Sequence, residues 1–331
     1  MKCLYICTQG ARVGIEGHRV MVKMDNDTIA EVPIEPLEMI ELYGNVQMTT
    51  QAVRECMERR IPVGLYSVGG FYIGKVNAAD DVGRADIVKA QIYRSGDPDY
   101  RIKLAHSIIC AKIHNQKVLL RKYSYGEPQN IREKIRELDI LQKRVNRSTT
   151  ISEVMGIEGM AARTYFSVLG QLLEGPFTFE RRSRRPATDP YNALINFGYA
   201  VLQNQVEGKL TLRGLHPAIG LIHSTHGNKK ALSYDLMEEW RPVLVDSLAL
   251  HCLRTHELKE DHFTIEEGAI RLTREGMRIY RKKIEDRYEM KTSYIDGKEM
   301  KFRKAIKYQT DQLARAIMQN DPKMYRPCRI R

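Results

Sequence analysis

The sequence predicts an α+β fold, with a small β-rich domain over residues 1–85 followed by a larger all-α domain over residues 86–331. Short strand-like runs separated by turn residues fill the first 76 positions, the stretch 77–90 changes character, and helical periodicity dominates beyond it. Charge divides at nearly the same place. The 331-residue chain carries a net +12, yet residues 1–90 hold 10 Lys and Arg against 12 Asp and Glu, while the remainder holds 43 against 29. A strongly basic second part implies a polyanionic partner there. Acidic lipid is the competing partner, but no basic amphipathic stretch with a strong apolar face supports it.

The opening residues, MKCLYICTQGARVG, have too short an apolar run for a signal peptide and suit a strand. Residues 19–23 and 28–34 flank the turn-rich Met24-Asp25-Asn26-Asp27 as a hairpin. Residues 39–44 form a third strand, and residues 61–76 a second hairpin turned at Gly69-Gly70. Between them, Thr49 or Thr50 caps a short helix through Arg59, with Val53 and Met57 on one face. Strand edges invite pairing with a second copy, which makes this domain the candidate dimerisation surface.

In the second part a long helix follows Asp97-Pro98-Asp99, with Ile102, Ala105, Ile109, Ile113 and Val118 along one side. Residues 130–146 make a charged amphipathic helix. The next stretch, 151–174, ends near Gly175-Pro176 and holds an acid in an unusual place. At about 100° per residue, Glu158 shares its face with Ile151, Val154, Met155, Ala161, Ala162, Tyr165 and Leu169. A carboxylate there must protonate, pair with a cation or bind a metal, because burying its charge alone is costly. Gly156 and Gly159 stand on either side, each costing roughly 1 kcal/mol against alanine in a helix interior. They leave room for another backbone, a metal shell or a phosphate. A structural ion pair between Glu158 and a distant arginine is the equally weighted alternative.

The following loop packs Arg181, Arg182, Arg184 and Arg185 into five residues, which suits phosphate contact or a solvated charge run. Asp189-Pro190 is an N-cap with proline at the first helical position, so a helix runs from there to about Glu207. The loop 215–230 carries His216, His223 and His226, with Pro217 and Gly220 barring a continuous helix. His223 closes the apolar run 219–222, where a histidine is more commonly structural than a ligand. The spacing of His223 and His226 alone is a weak zinc signature. A helix then spans 232–253, capped by Ser233, with Leu232, Leu236, Trp240, Val243, Leu244 and Leu250 on its apolar arc. Asp235 and Glu238 share a different, solvent-facing side, and Pro242 kinks the helix or begins a new one. From Phe263 onward the chain reads as basic helices, notably 278–291 and 301–318.

Six scattered cysteines with no C-x-x-C pair exclude a disulfide framework and a cysteine zinc site, and point to a reducing cytoplasmic setting. No apolar run approaches the ~18 residues of a membrane span. No G-x-x-x-x-G-K-[ST] loop is present.

Four segments are specific when taken together: GIEGMAARTYF (156–166), RRPATDPYNALINFGY (184–199), GLHPAIGLIH (214–223) and YDLMEEWRP (234–242). In this order, and over essentially the whole chain, they resemble the CRISPR-associated endonuclease/integrase of spacer acquisition. The resemblance implies a Mg²⁺ or Mn²⁺ site that is also the catalytic site, made by Glu158, His223 and Glu238. Many members carry Asp where this chain has Glu238. Asp235 matches a further acid of the family, an occasional ligand or a partner of the ligands. The implied reaction is attack by the 3′-hydroxyl of a short DNA, the prespacer, on a phosphodiester of the CRISPR repeat, with hydrolysis when water attacks instead. Arg163, Arg184, Arg185 and Arg241 are candidates to hold DNA phosphates, and Asn192 and Asn196 to brace the site. A homodimer through the β-rich domain and a small ferredoxin-like partner, the second Cas protein, are further implications. Two other readings use the same residues: a metal-dependent nuclease on branched or single-stranded DNA outside CRISPR immunity, and a DNA-binding scaffold without chemistry.

Overall fold

The computed structural model describes residues 2–25, 27–68, 70–78, 83–124, 129–173, 175–224 and 229–331. They form two compact units, residues 1–90 with 204–216 and residues 91–203 with 217–331.

The first unit contains β1 (Lys2–Ile6), β2 (Arg12–Glu16), β3 (Arg19–Met24), β4 (Asp27–Pro33), β5 (Leu37–Tyr43), β6 (Gln47–Met48), α1 (Thr50–Glu58), β7 (Val63–Tyr66) and β8 (Tyr72–Val76). Both expected hairpins are present as the antiparallel pairs β3–β4 and β7–β8. The strands are dealt into two sheets, ordered β4-β3-β2-β6 and β1-β5-β7-β8. In the second sheet, β5 runs parallel to both β1 and β7. Val13, Val20, Val22, Ile34, Ile40, Leu42 and Val63 make one shared core. Each such aliphatic contributes about 1.5–3 kcal/mol of burial. Thr49 caps α1, its hydroxyl accepting the Ala52 N–H at 3.1 Å. The fully buried residues of α1 are Ala52 and Cys56, and Met57 packs partly buried against the same core.

The helical elements are α2 (Gly83–Ser95), α3 (Pro98–Tyr123), α4 (Gln129–Val145), α5 (Ile151–Leu169), α6 (Pro190–Arg213), α7 (Ala231–Met237) and α8 (Ser247–Arg254). They are followed by the strands β9 (Phe263–Glu266) and β10 (Ala269–Leu272), then α9 (Arg274–Glu289). The short strands β11 (Lys291–Thr292) and β12 (Met300–Lys301) precede α10 (Phe302–Gln319). The helical second part therefore also carries two small antiparallel ribbons, β9–β10 and β11–β12. Residues 263–272, expected to open a basic helix, are the first of these. Thr150 starts α5 with a capping box: its hydroxyl accepts the Glu153 N–H at 3.2 Å, and the Glu153 carboxylate accepts the Thr150 N–H at 3.3 Å. Asp189 caps α6 as expected, accepting the Asn192 N–H at 2.7 Å. Lys230, and not Ser233, precedes the first turn of α7. Beyond α7 the chain widens into a π-helical turn, Arg241–Asp246, before α8. Pro242 accounts for the change, since it has no N–H to bond the Glu238 carbonyl and its ring crowds that group.

Candidate functional site

Glu158 lies midway along α5, and Glu238 directly follows α7. Their side chains are 17% and 6% exposed. Both bond one ammonium group: Lys112 of α3 donates to Glu158 Oε1 and to Glu238 Oε2. The other Glu238 oxygen, Oε1, pairs with Arg241 at 3.1 Å. Two carboxylates distant in sequence thus converge on one cationic position. The solvent-facing side expected for Glu238 is not found. Nearly every side of α7 is covered, so Ser233, Asp235 and Glu238 are buried along with Leu232 and Leu236. A polar stripe marks solvent only when the helix has a wet side.

His223 lies in the loop between α6 and α7, and its Nδ1 is 2.7 Å from Asp235 Oδ1. The same carboxylate accepts backbone N–H groups from Leu221 (2.6 Å), Ile222 (2.9 Å) and His223 (2.8 Å). Both oxygens of Asp235 are thereby engaged, and one of them holds the histidine ring. Arg101 Nε donates to Leu221 O at 2.8 Å and Gln91 Nε2 to Ile219 O at 2.7 Å, holding the loop from α2 and α3. With Nδ1 committed to Asp235, Nε2 is the ring nitrogen suited to ligation. His226 lies outside the described residues.

The electrostatics follow the same geometry. Burial on its own lowers the His223 pKa, but the Asp235 hydrogen bond and the charges of Asp235 and Glu238 hold it above the usual value. Burial also opposes ionisation of Glu238, yet Arg241, Lys112 and His223 bring its carboxyl down to about 2. Among the described residues, no three His, Cys, Asp or Glu side chains surround one metal-sized point. Two carboxylates that already share a single cation nonetheless suit a hard divalent ion, and the charge of Glu238 is felt at the His223 ring. Lys112 is that cation here.

A cleft of about 470 Å³ opens beside the pair, with Lys112, Glu158, Arg163, Arg182, Arg184 and Arg241 in its lining. Gly159 also lines it, and a Cβ added there, or at Gly156, would meet nothing within 4 Å. The glycines therefore face open space, with no second backbone against them. Arg185 lines a different opening, against β9–β10, which Arg184 shares. Asn192 and Asn196, expected to brace the site, hydrogen-bond the arginine loop. Their amides donate to Arg181 O and Arg184 O, both at 2.8 Å, and their oxygens accept from Arg182 at 2.8 and 2.6 Å.

Three residues contribute in ways that the sequence reading did not give them. Lys112 is one, although it falls in the apolar stripe of α3, three positions after Ile109 and four after Ile108, where a lysine needs a partner. Arg182 is another, stacked 5.4 Å from the Tyr199 ring, which also has Arg241 at 4.6 Å. The third is Asp246, which accepts from Tyr199 at 2.5 Å and Tyr165 at 3.0 Å. Burial pushes its carboxyl up to about 6, against those hydrogen bonds and the nearby Arg241 and Arg182.

A family model described as CRISPR associated protein Cas1 matches residues 4–286. A CRISPR-associated endonuclease Cas1 of Mycobacterium tuberculosis is 31% identical over 323 residues, covering 96% of this chain and 95% of that protein. Among solved structures, a chain of a partial Cas6-RT-Cas1–Cas2 complex aligns with a TM-score of 0.84 at 25% identity, covering 98% of both chains. A casposase bound to its integration product shares the fold, with a TM-score of 0.80 at 21% identity over 99% of both. Matched along nearly its whole length by sequence and by fold, the chain belongs to the Cas1 family of CRISPR-associated proteins.

Proposed function

We propose that the protein is a DNA endonuclease and integrase that inserts prespacers into a CRISPR array at the cleft beside Glu158. The single observation that carries the proposal is the convergence of Glu158 and Glu238 on one cation, at an opening lined by arginines. Its relatives named as endonucleases and a casposase neighbour bound to an integration product support it.

Glu158, Glu238 and His223 Nε2 would hold a Mg²⁺ or Mn²⁺ ion, the imidazole favouring Mn²⁺ somewhat. When bound, the ion supplies Lewis-acid polarisation of the phosphate and a more acidic attacking hydroxyl. Asp235 keeps the His223 ring in one tautomer and orientation. Arg163, Arg184 and Arg241 hold non-bridging phosphate oxygens and offset the charge that builds there, while Arg185 contacts DNA further along. Asp246, through Tyr199, steadies the rings and guanidinium groups behind the cleft. One phosphodiester replaces another when a 3′-hydroxyl attacks, so no nucleotide triphosphate is needed; water in the same place nicks the strand.

In this proposal the strand-rich domain, residues 1–85, makes a homodimer and the helical domain, 86–331, carries catalysis and DNA binding. The small ferredoxin-like second Cas protein is its partner, as the Cas1–Cas2 neighbour suggests. The setting in this proposal is cytoplasmic, in keeping with six scattered cysteines and no C-x-x-C pair. No described helix is long and apolar enough to cross a membrane.

The test mixes purified protein, a duplex with free 3′-hydroxyl ends and a supercoiled repeat plasmid, with and without Mn²⁺. Joined product should form only with the metal. Glu158→Ala should abolish joining while DNA affinity measured without metal stays near normal, and a variant that still joins would remove Glu158 from the reacting centre.

A further inference from the structure

We infer that Lys112 makes divalent-cation binding conditional on DNA, so that the reacting centre stays unloaded until phosphate occupies the cleft. The inference rests on the proposed cation site at Glu158 and Glu238. Its basis is the charge already present. Two carboxylates bring −2, and Lys112, bonded to both, together with Arg241, 3.1 Å from Glu238, brings +2. The local charge is balanced before any metal arrives.

All four groups are buried or half-buried, the Lys112 side chain being 9% exposed, so an added double charge is screened far less than in water. The surroundings do not absorb it. Arg163, Arg181, Arg182 and Arg184 line the same cleft, against Glu180 and an Asp246 whose charge is held by two tyrosines and two arginines. Phosphodiesters supply the missing negative charge. Location argues the same way. The ammonium touches one oxygen of each carboxylate, which is the position a cation shared by both would take, and two cations cannot share it. Lys112 itself lines the cleft, so its flexible side chain has an exit toward DNA phosphate. Lys112 is thus a positioning residue that keeps the carboxylates together without metal and yields when DNA binds. Coupling is reciprocal, so the cation must also tighten DNA.

The measurement is Mn²⁺ binding by the whole protein, read from the electron paramagnetic resonance of free Mn²⁺, with and without a short duplex whose 3′ ends are blocked by dideoxynucleotides. In the unmodified protein the duplex should tighten Mn²⁺ by about tenfold or more. Lys112→Gln should bind Mn²⁺ about tenfold tighter than the unmodified protein without DNA, and the effect of the duplex should shrink to roughly threefold or less. Adding Glu158→Gln to Lys112→Gln should remove that gain. Equal Mn²⁺ affinity of the unmodified protein with and without DNA overturns the inference, and this arm stands even if the lysine variant does not fold. So does a folded Lys112→Gln protein that binds Mn²⁺ no tighter than its parent. Failure of the underlying site looks different: no Mn²⁺ bound under any condition, or binding indifferent to Glu158→Gln, overturns the metal reading and this inference with it.

Discussion

In the proposed site Asp235 acts through His223, with four donors on its two oxygens. Replacing it with Asn turns one acceptor into an NH₂ group facing donors, and leaves buried N–H groups unsatisfied at about 1–3 kcal/mol each. Asp235→Asn should therefore lower strand joining by about 10-fold to 100-fold, with DNA affinity nearly unchanged. Joining rates and a DNA titration decide it; full activity would mean that Asp235 does not orient His223 in the working enzyme. At this scale the sequence is legible unevenly. Glu158 stands out because an acid inside an apolar stripe conflicts with helical periodicity. Glu238 shows no such conflict, since its neighbours Ser233, Asp235 and Glu239 are polar too and are all buried. Lys112 carries the same kind of conflict, a charge in the apolar stripe of α3, but nothing local names the two carboxylates that answer it.

Residues 325–331 run against α3 and the segment after α7. Asn115 Nδ2 donates to Glu239 O at 2.9 Å and Cys328 O at 3.0 Å, and the Tyr325 hydroxyl donates to Glu239 Oε1 at 3.1 Å. Burial pushes the Glu239 carboxyl up from 4.5 to about 8, against the hydrogen bonds from Cys328 and Tyr325. A raised acid pKa favours the protonated form in the folded state. Its stabilising contribution is full below the unfolded value, falls as pH climbs from about 4.5 to about 8, and is flat above that. Over that window the loss should be on the order of a few kcal/mol. Glu239→Gln keeps the shape without the proton, so its stability should decline less across the window and exceed the parent's at pH 9, as denaturant titrations at several pH values would read. A parallel decline in both proteins would place the slope elsewhere. Element ends are also where local signals mislead. Gly208 suggests a stop for α6 near Glu207, but the helix continues to Arg213, and a Cβ at Gly208 would collide with the Tyr66 hydroxyl. That glycine serves close packing within the first unit, a juxtaposition no sequence window contains.

Across the whole chain, the charge split and the change from strands to helices can be read directly, because each sums over many residues. The pairing of β5 with β1 and β7, and the clustering of residues 204–216 with residues 1–90, cannot, because they join segments far apart in the chain. In that second grouping, Lys209 of α6 bonds both oxygens of Glu41 with each partner fully buried, a pair that neither local sequence announces. In the proposed function the basic excess beyond residue 90 bears on DNA through particular arginines. Arg184 lines both the cleft beside Glu158 and the opening against β9–β10, whereas Arg185 lines only the latter, near Glu266 and Glu267. Glu266 pairs with Arg271 at 3.2 Å, but with Glu267 beside it this opening is less basic than the cleft, so the two guanidinium groups should not count equally. Removing one cation that neutralises a duplex phosphate reduces the slope of log affinity against log salt by about 0.9. Arg184→Ala should lower the slope by close to that amount and Arg185→Ala by less, measured by DNA titration over a range of salt concentrations. Equal reductions would put both arginines on the DNA path, and an unchanged slope in both would move that path away from the loop.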